Sequence, residues 1–69
     1  MLEIRLVSNF EKDGSNFVLN NVKVLVEDKE NKRRVEVVRF EGSTHTTATS
    51  FFTALKDSAT AAYSSTLLE

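Results

Sequence analysis

Residues Val22–Val38 read VKVLVEDKENKRRVEVV, two alternating apolar runs separated by a short charged segment. Alternation of Val and Leu with charged residues at period two is the pattern of half-buried strands. Asp28, Lys29, Glu30 and Asn31 between them supply a turn. The stretch predicts a β-hairpin. With the turn at Asp28 to Asn31, Glu27 pairs with Lys32, Val24 with Val35, Val22 with Val37 and Lys23 with Glu36. β-Branched pairs then share one face and an opposite-charge pair sits on the other, both favourable as cross-strand neighbours.

On the N-terminal side, Leu2, Ile4 and Leu6 alternate with Glu3 and Arg5, which predicts a strand continuing to about Phe10. The segment Glu11–Asn16 contains Asp13-Gly14, a strong turn signal because Gly takes φ > 0 without a Cβ penalty. Its length predicts a wide loop. A second strand, Phe17 to Glu27, changes phase: Phe17 and Leu19 are odd, Val22, Val24 and Val26 even. The third, Lys32 to Glu41, has Val35 and Val37 odd but Val38 and Phe40 even. A β-bulge where Asn20-Asn21 faces Val37-Val38 would bring Phe17, Leu19, Val38 and Phe40 back onto the core face. Straight strands would instead leave an apolar patch on the outer face.

Beyond Gly42 the chain becomes rich in Thr, Ser and Ala. Ala48, Phe51, Phe52, Leu55, Ala59 and Ala62 fall within roughly 100° of arc on a helical wheel. The spacing predicts a helix from about Thr46 to Tyr63, capped by Ser43, Thr44 or Thr46 and ended by Ser64-Ser65. The fold class is therefore α+β: a three-stranded antiparallel meander followed by one C-terminal helix packed on one sheet face, in the order β-β-β-α. Residues 1–67 form one small domain, and Leu68-Glu69 reads as a tail left by cloning.

Composition narrows the function. The chain has 69 residues, 41% hydrophobic and 28% charged, a globular balance close to the lower size limit for a self-sufficient core. Cys is absent, so neither a disulfide nor a thiolate metal site can staple the fold, and self-association becomes an expected aid. Net charge is −1 with a pI near 5.8, which gives no overall field toward nucleic acid or anionic lipid. Nothing in the sequence reads as a membrane span or a signal peptide, and a cytoplasmic location is the expectation.

Candidate sites are few. The outer sheet face should carry Arg5, Lys23, Leu25, Glu27, Arg34 and Glu36, with Leu25 its apolar exception. A partner surface would comprise Leu25, Lys23 and Arg34, joined by Val38 and Phe40 if the strands run straight. Lys29, Lys32, Arg33 and Arg34 form the one basic cluster, a candidate phosphate contact on a β-ribbon. Acidic residues interleave with it and no aromatic is placed to stack a base. Arg33 should share the inward face with Val26 and lay its stem along the core rim. His45 sits among Ser and Thr at the helix start, without the converging base, nucleophile and acid that nucleophilic catalysis needs. The carboxylates of the two turns match neither calcium-loop nor zinc spacing, and the two Gly residues form no phosphate loop.

The β-β-β-α order resembles the later part of a double-stranded-RNA-binding domain, without its first helix and without the lysine cluster that opens its last one. The Cys-free, Pro-free build is similar to that of small phage, prophage and plasmid accessory proteins. The sequence thus leads to a non-enzymatic protein-interaction or regulatory module without cofactor or metal, its partner another protein or a second copy in a homodimer. The alternative is a nucleic-acid-binding module acting through the basic hairpin.

Overall fold

Gly14 (φ +63°) and Lys32 (φ +52°) occupy left-handed backbone positions, one in each of the two loops of a single antiparallel sheet. The computed structural model describes residues 1–68 and contains strands β1 (Leu2–Asp13), β2 (Asn16–Asp28) and β3 (Arg33–His45), then helix α1 (Ala48–Thr66). The strands lie in the order β1-β2-β3 and α1 packs on one face, the meander-plus-helix that the alternation and the helical stripe predict. Leu68 follows the helix in an exposed turn. Of the Leu68-Glu69 tail, Glu69 lies outside the described residues.

The first hairpin is tighter than its loop segment suggests. Asp13 pairs with Asn16, so only Gly14-Ser15 forms the loop. Gly14 takes positive φ at the first loop position, as a type II′ turn requires, and the strands extend into Glu11–Asp13 and Asn16. In the second hairpin Asp28 pairs with Arg33, and the register moves by two positions from the expected one. Val24 faces Val37, Val26 faces Val35, and Leu25 faces Glu36. The cause is local. The Asp28 carboxylate accepts from the Asn31 side chain at 2.7 Å and from its backbone N–H at 3.4 Å, while Lys32 absorbs the left-handed turn. Asp28 is thereby fixed as the last strand residue instead of the first turn residue. A shift of two leaves every side chain on its expected face. Lys23 and Glu36 still meet, now diagonally, with Nζ–Oε1 at 2.7 Å.

Asn20 is a bulge, as the phase change on β2 predicts. Against β1, Asn9 pairs with Asn21 and Phe10 with Leu19, so Asn20 is the extra residue. Against β3, the pairs Asn21–Phe40 and Leu19–Ser43 place Glu41-Gly42 opposite Asn20. Gly42 (φ +64°) takes the left-handed turn there. The slip brings Phe17 and Leu19 onto the face of Val22 and Val24, and Leu19 and Val22 are fully buried. It does not do the same for β3. The irregularity falls after Phe40, not at Val37-Val38, so Val38 and Phe40 stay on the outer face, 42% and 80% exposed.

Helix α1 starts one residue after Thr47, whose hydroxyl accepts from the Ser50 N–H at 3.1 Å. Thr47 is the N-cap in place of Ser43, Thr44 or Thr46, because β3 continues through His45. At its other end the helix runs through Ser64-Ser65 to Thr66; the Ser65 and Thr66 hydroxyls donate back to the carbonyls of Ala61 and Tyr63. Phe51 anchors it, with ring centroids 5.3 Å from Phe10 and 5.6 Å from Phe17. Phe52, expected in the core stripe, is 64% exposed. Among the described residues the buried hydrophobics are Leu19, Val22, Val24, Phe51 and Ala62.

That core sets the first expected outcomes. Leu19→Ala should cost about 2–5 kcal/mol, and urea titration followed by circular dichroism should find the variant largely unfolded without denaturant. Gly42→Ala meets no neighbouring atom, yet the left-handed φ should cost roughly 1–2 kcal/mol in the same titration. An unchanged urea midpoint for Gly42→Ala would mean that the bulge is not fixed where it stands.

Candidate functional site

The inner face of β1 carries a row of exposed apolar side chains. Its alternation places Leu2, Ile4, Leu6 and Phe10 on the same side as Val26, Val24 and Leu19 of β2. A single helix is about 10 Å across and strands repeat every ~4.8 Å, so one helix shields about two strands. Here α1 lies over β2 and β3 and reaches β1 mainly through Phe10. Leu2, Ile4 and Leu6 are left 63%, 54% and 52% exposed.

The flank of α1 that overlooks this strand is apolar as well. Ala59 and Tyr63 face Ile4 and Leu6 across a recess of about 300 Å³, which continues past Val26, Val35 and Leu67 into a second of about 310 Å³. Ile4 and Tyr63 line both, so the two form one trough. Phe52 precedes Ala59 by seven residues and Tyr63 by eleven, which sets its exposed ring on the same flank. Charges of both signs mark the open end. Asp28 and Arg33 line the second recess. Glu3 binds Lys29 at 3.1 Å, and the Met1 amino group meets Glu30 at 3.1 Å.

The opposite, outer face holds the partner surface drawn from the sequence, spread thinly. Successive cross-strand rows are Glu27–Arg34, Arg5–Leu25–Glu36, Val7–Lys23–Val38 and Asn9–Asn21–Phe40. Leu25 is half-buried between Arg5 and Glu36, while Lys23 bridges to Glu36 and lies between Val7 and Val38. Lys23 separates Val7 from Val38, while Val38 and Phe40 are successive side chains on the outer face of β3.

The basic hairpin is not a patch of one sign. Lys29 is engaged by Glu3, Arg34 lies 3.8 Å from Glu36, and Arg33 extends over the trough beside Val26 and Val35, on the face expected for it. Lys32 sits in the loop itself. The His45 ring joins two hydroxyls, with Ser43 Oγ 2.8 Å from Nε2 and Ser50 Oγ 2.8 Å from Nδ1, and its edge meets the Phe51 ring. The arrangement ties the end of β3 to the first turn of α1. Among the described residues no three acidic or His side chains converge as metal ligands, and no helix is long and apolar enough to cross a membrane.

One carboxylate links sheet to helix. Glu41 points inward from β3 and accepts from the buried Ser58 hydroxyl of α1 and from Arg39 Nε at 2.6 Å. The Ser58 hydrogen bond first, then Arg39, holds its carboxyl below the ordinary glutamate value. Glu36 is lowered likewise by the Lys23 ammonium, and Asp28 by the Asn31 side chain.

Comparison with protein-family models, with curated proteins and with solved structures returns no match for this chain. The trough escapes a reading of the sequence because the β1 alternation reports an apolar face without reporting what covers it. A usable signal is present: Phe52, Ala59 and Tyr63 make a second helical stripe beside Phe51, Leu55 and Ala62.

A carboxylate with a lowered folded pKa stabilises the fold fully above its unfolded value, and that contribution fades as pH falls through the folded value. Stability should therefore decline on acidification below about pH 4.5, the unperturbed glutamate value. Glu41→Gln should be less stable at neutral pH and show a flatter decline, as read by thermal melts across the acid range.

Proposed function

We propose that this protein is a small, non-enzymatic, cytoplasmic protein-interaction module whose working surface is the trough between β1 and α1. The carrying observation is that Leu2, Ile4 and Leu6 stand more than half exposed beside Tyr63 and Leu67 while the core holds so few side chains. Contiguous apolar surface rimmed by charge is what protein interfaces present. A small-molecule site encloses most of its ligand; here the walls are themselves largely open to solvent. The surface also lies on regular elements, which present side chains at fixed spacing to a partner.

A nucleic-acid-binding module using Lys29, Lys32, Arg33 and Arg34 remains the competing proposal. No observation favours it comparably, since carboxylates occupy Lys29 and lie beside Arg34. Phosphate contacts would weaken steeply as salt rises, whereas apolar docking would persist or strengthen.

The test is a pull-down from the native host with tagged chain at moderate and high salt. Wild type should retain a protein partner, either an untagged copy or another chain. Leu6→Asp should lose at least about tenfold of it, the effect expected when a charge enters an apolar interface centre. Recovery of the same proteins by both chains would remove the trough from consideration, and salt-labile nucleic acid in the eluate would favour the hairpin.

A further inference from the structure

We infer that the trough is filled by a second copy of this chain, the two copies related by a two-fold axis passing over β1. The inference rests on the trough being a protein docking surface and supplies the partner.

Surface area points to it first. A compact monomer of 7.8 kDa exposes about 4,400 Å² by the usual mass scaling, whereas this chain exposes 4922 Å². Its radius of gyration is 13.6 Å, against about 11 Å for a compact domain of the same length. The shape is a bar of 45 × 17 × 17 Å. An interface of standard size removes about 800 Å² from each partner, more than the whole excess. Two bars laid side by side also approach the proportions of an ordinary globule.

Stability points the same way. Domains below about 70 residues seldom draw more than 3–5 kcal/mol from a single core, and those without disulfide or metal commonly associate. This chain has no Cys. A second copy would supply the missing burial wherever the chain itself is made.

Shape then decides between two ways of pairing. Joining β1 to β1 edge to edge would satisfy backbone groups, yet it would set two uncovered inner faces side by side and double the width of the trough. Facing the inner surfaces together does the opposite. In section each copy has a low floor, Ile4 and Leu6, beside a raised wall, Ala59 and Tyr63. Rotation by half a turn sets each wall on the other copy's floor, the reciprocal contact that an isologous interface demands. Two copies at −1 each repel little.

Sedimentation and light scattering from low to high micromolar concentration, with thermal melts alongside, test this directly. The mass should rise from one chain to two and the melting temperature should rise with concentration, since assembly adds to stability by mass action. Leu6→Asp should hold the mass at one chain, and Phe40→Ser on the outer face should leave the dimer intact. An oxidised mixture of Leu6→Cys and Tyr63→Cys chains, otherwise free of Cys, should give the mixed dimer in good yield, while Phe40→Cys should give none. Wild-type mass of one chain, with a concentration-independent melt, overturns the second copy while leaving the trough to another protein, which the pull-down decides. A dimer that survives Leu6→Asp and is broken by Phe40→Ser overturns both. A dimer that dissociates in Leu6→Asp but gives no crosslink between Leu6→Cys and Tyr63→Cys chains overturns the two-fold arrangement alone. Should Leu6→Asp unfold, the wild-type concentration series and the mixed Cys crosslink decide without it.

Discussion

The junction between β3 and α1 determines what the rest of the molecule can cover. β3 ends at His45 and the helix begins at Ala48, so Thr46 and Thr47 alone turn the chain back over the sheet. So short a connection holds the helix beside the strand it leaves. Thr47 caps the first turn, His45 bridges Ser43 to Ser50, and the Phe51 ring settles between Phe17 and Phe10. From that pinned end the helix runs over β2 and β3, with Glu41 taking the Ser58 hydrogen bond midway. β1 is the strand left over. Its N-terminal half, from Leu2 to Leu6, has an apolar face and nothing above it.

The bulge at Asn20 makes this short helix sufficient for the core it does have. Without it, Leu19 and Phe17 would lie on the opposite face from Val22 and Val24, and Phe51 would have no floor. With it, Leu19 and Val22 become the most enclosed side chains of the protein beneath Phe51, Ala54 and Leu55. A bulge leaves one residue outside the ladder and adds local twist, and Asn is suited to that position because its amide can remain solvated. β3 answers with Glu41-Gly42. Because its own phase never changes along the core side, Val35, Val37, Arg39, Glu41, Ser43 and His45 all face inward, and Val38 and Phe40 face out.

Most of the architecture is legible in the residues because it depends on periodicity. Three alternating runs and one helical stripe yield β-β-β-α, and the odd-to-even change around Asn20-Asn21 locates the bulge on β2. What fails depends on turn chemistry that spans only a few atoms. Nothing in DKENK distinguishes a turn starting at Asp28 from one starting at Lys29 until the Asp28 carboxylate is seen to bind Asn31, so the expected register slips by two. The first loop departs from its expected width for a similar reason: Gly14 suffices to close it, which frees Glu11–Asp13 for the strand. On β3, adjacent Val37-Val38 imitates a phase change although Val38 and Phe40 simply face outward. The uncovered face of β1 is hidden for a geometric reason. Hydrophobic pattern reports which face of β1 is apolar, but coverage of that face depends on helix width and on the length of the β3–α1 junction.

The charged hairpin that first attracts the eye then takes on a different meaning. Lys29 reaches across to Glu3 and Glu30 to the Met1 amino group, so the tip between β2 and β3 is tied to the start of β1. Each exposed pair contributes only about 0–1 kcal/mol, too little to decide whether the chain folds. Position matters more than strength here. Both pairs act at the end of β1 where no helix presses down and where fraying would otherwise begin. For the proposed docking, a strand ordered in advance spares the affinity that ordering on contact would cost. The ion pairs at the tip, the Phe10–Phe51 contact at the far end and the ladder to β2 together supply that order. Lys29 is thus a fastening of the trough floor, while Arg34 pairs with Glu36 on β3.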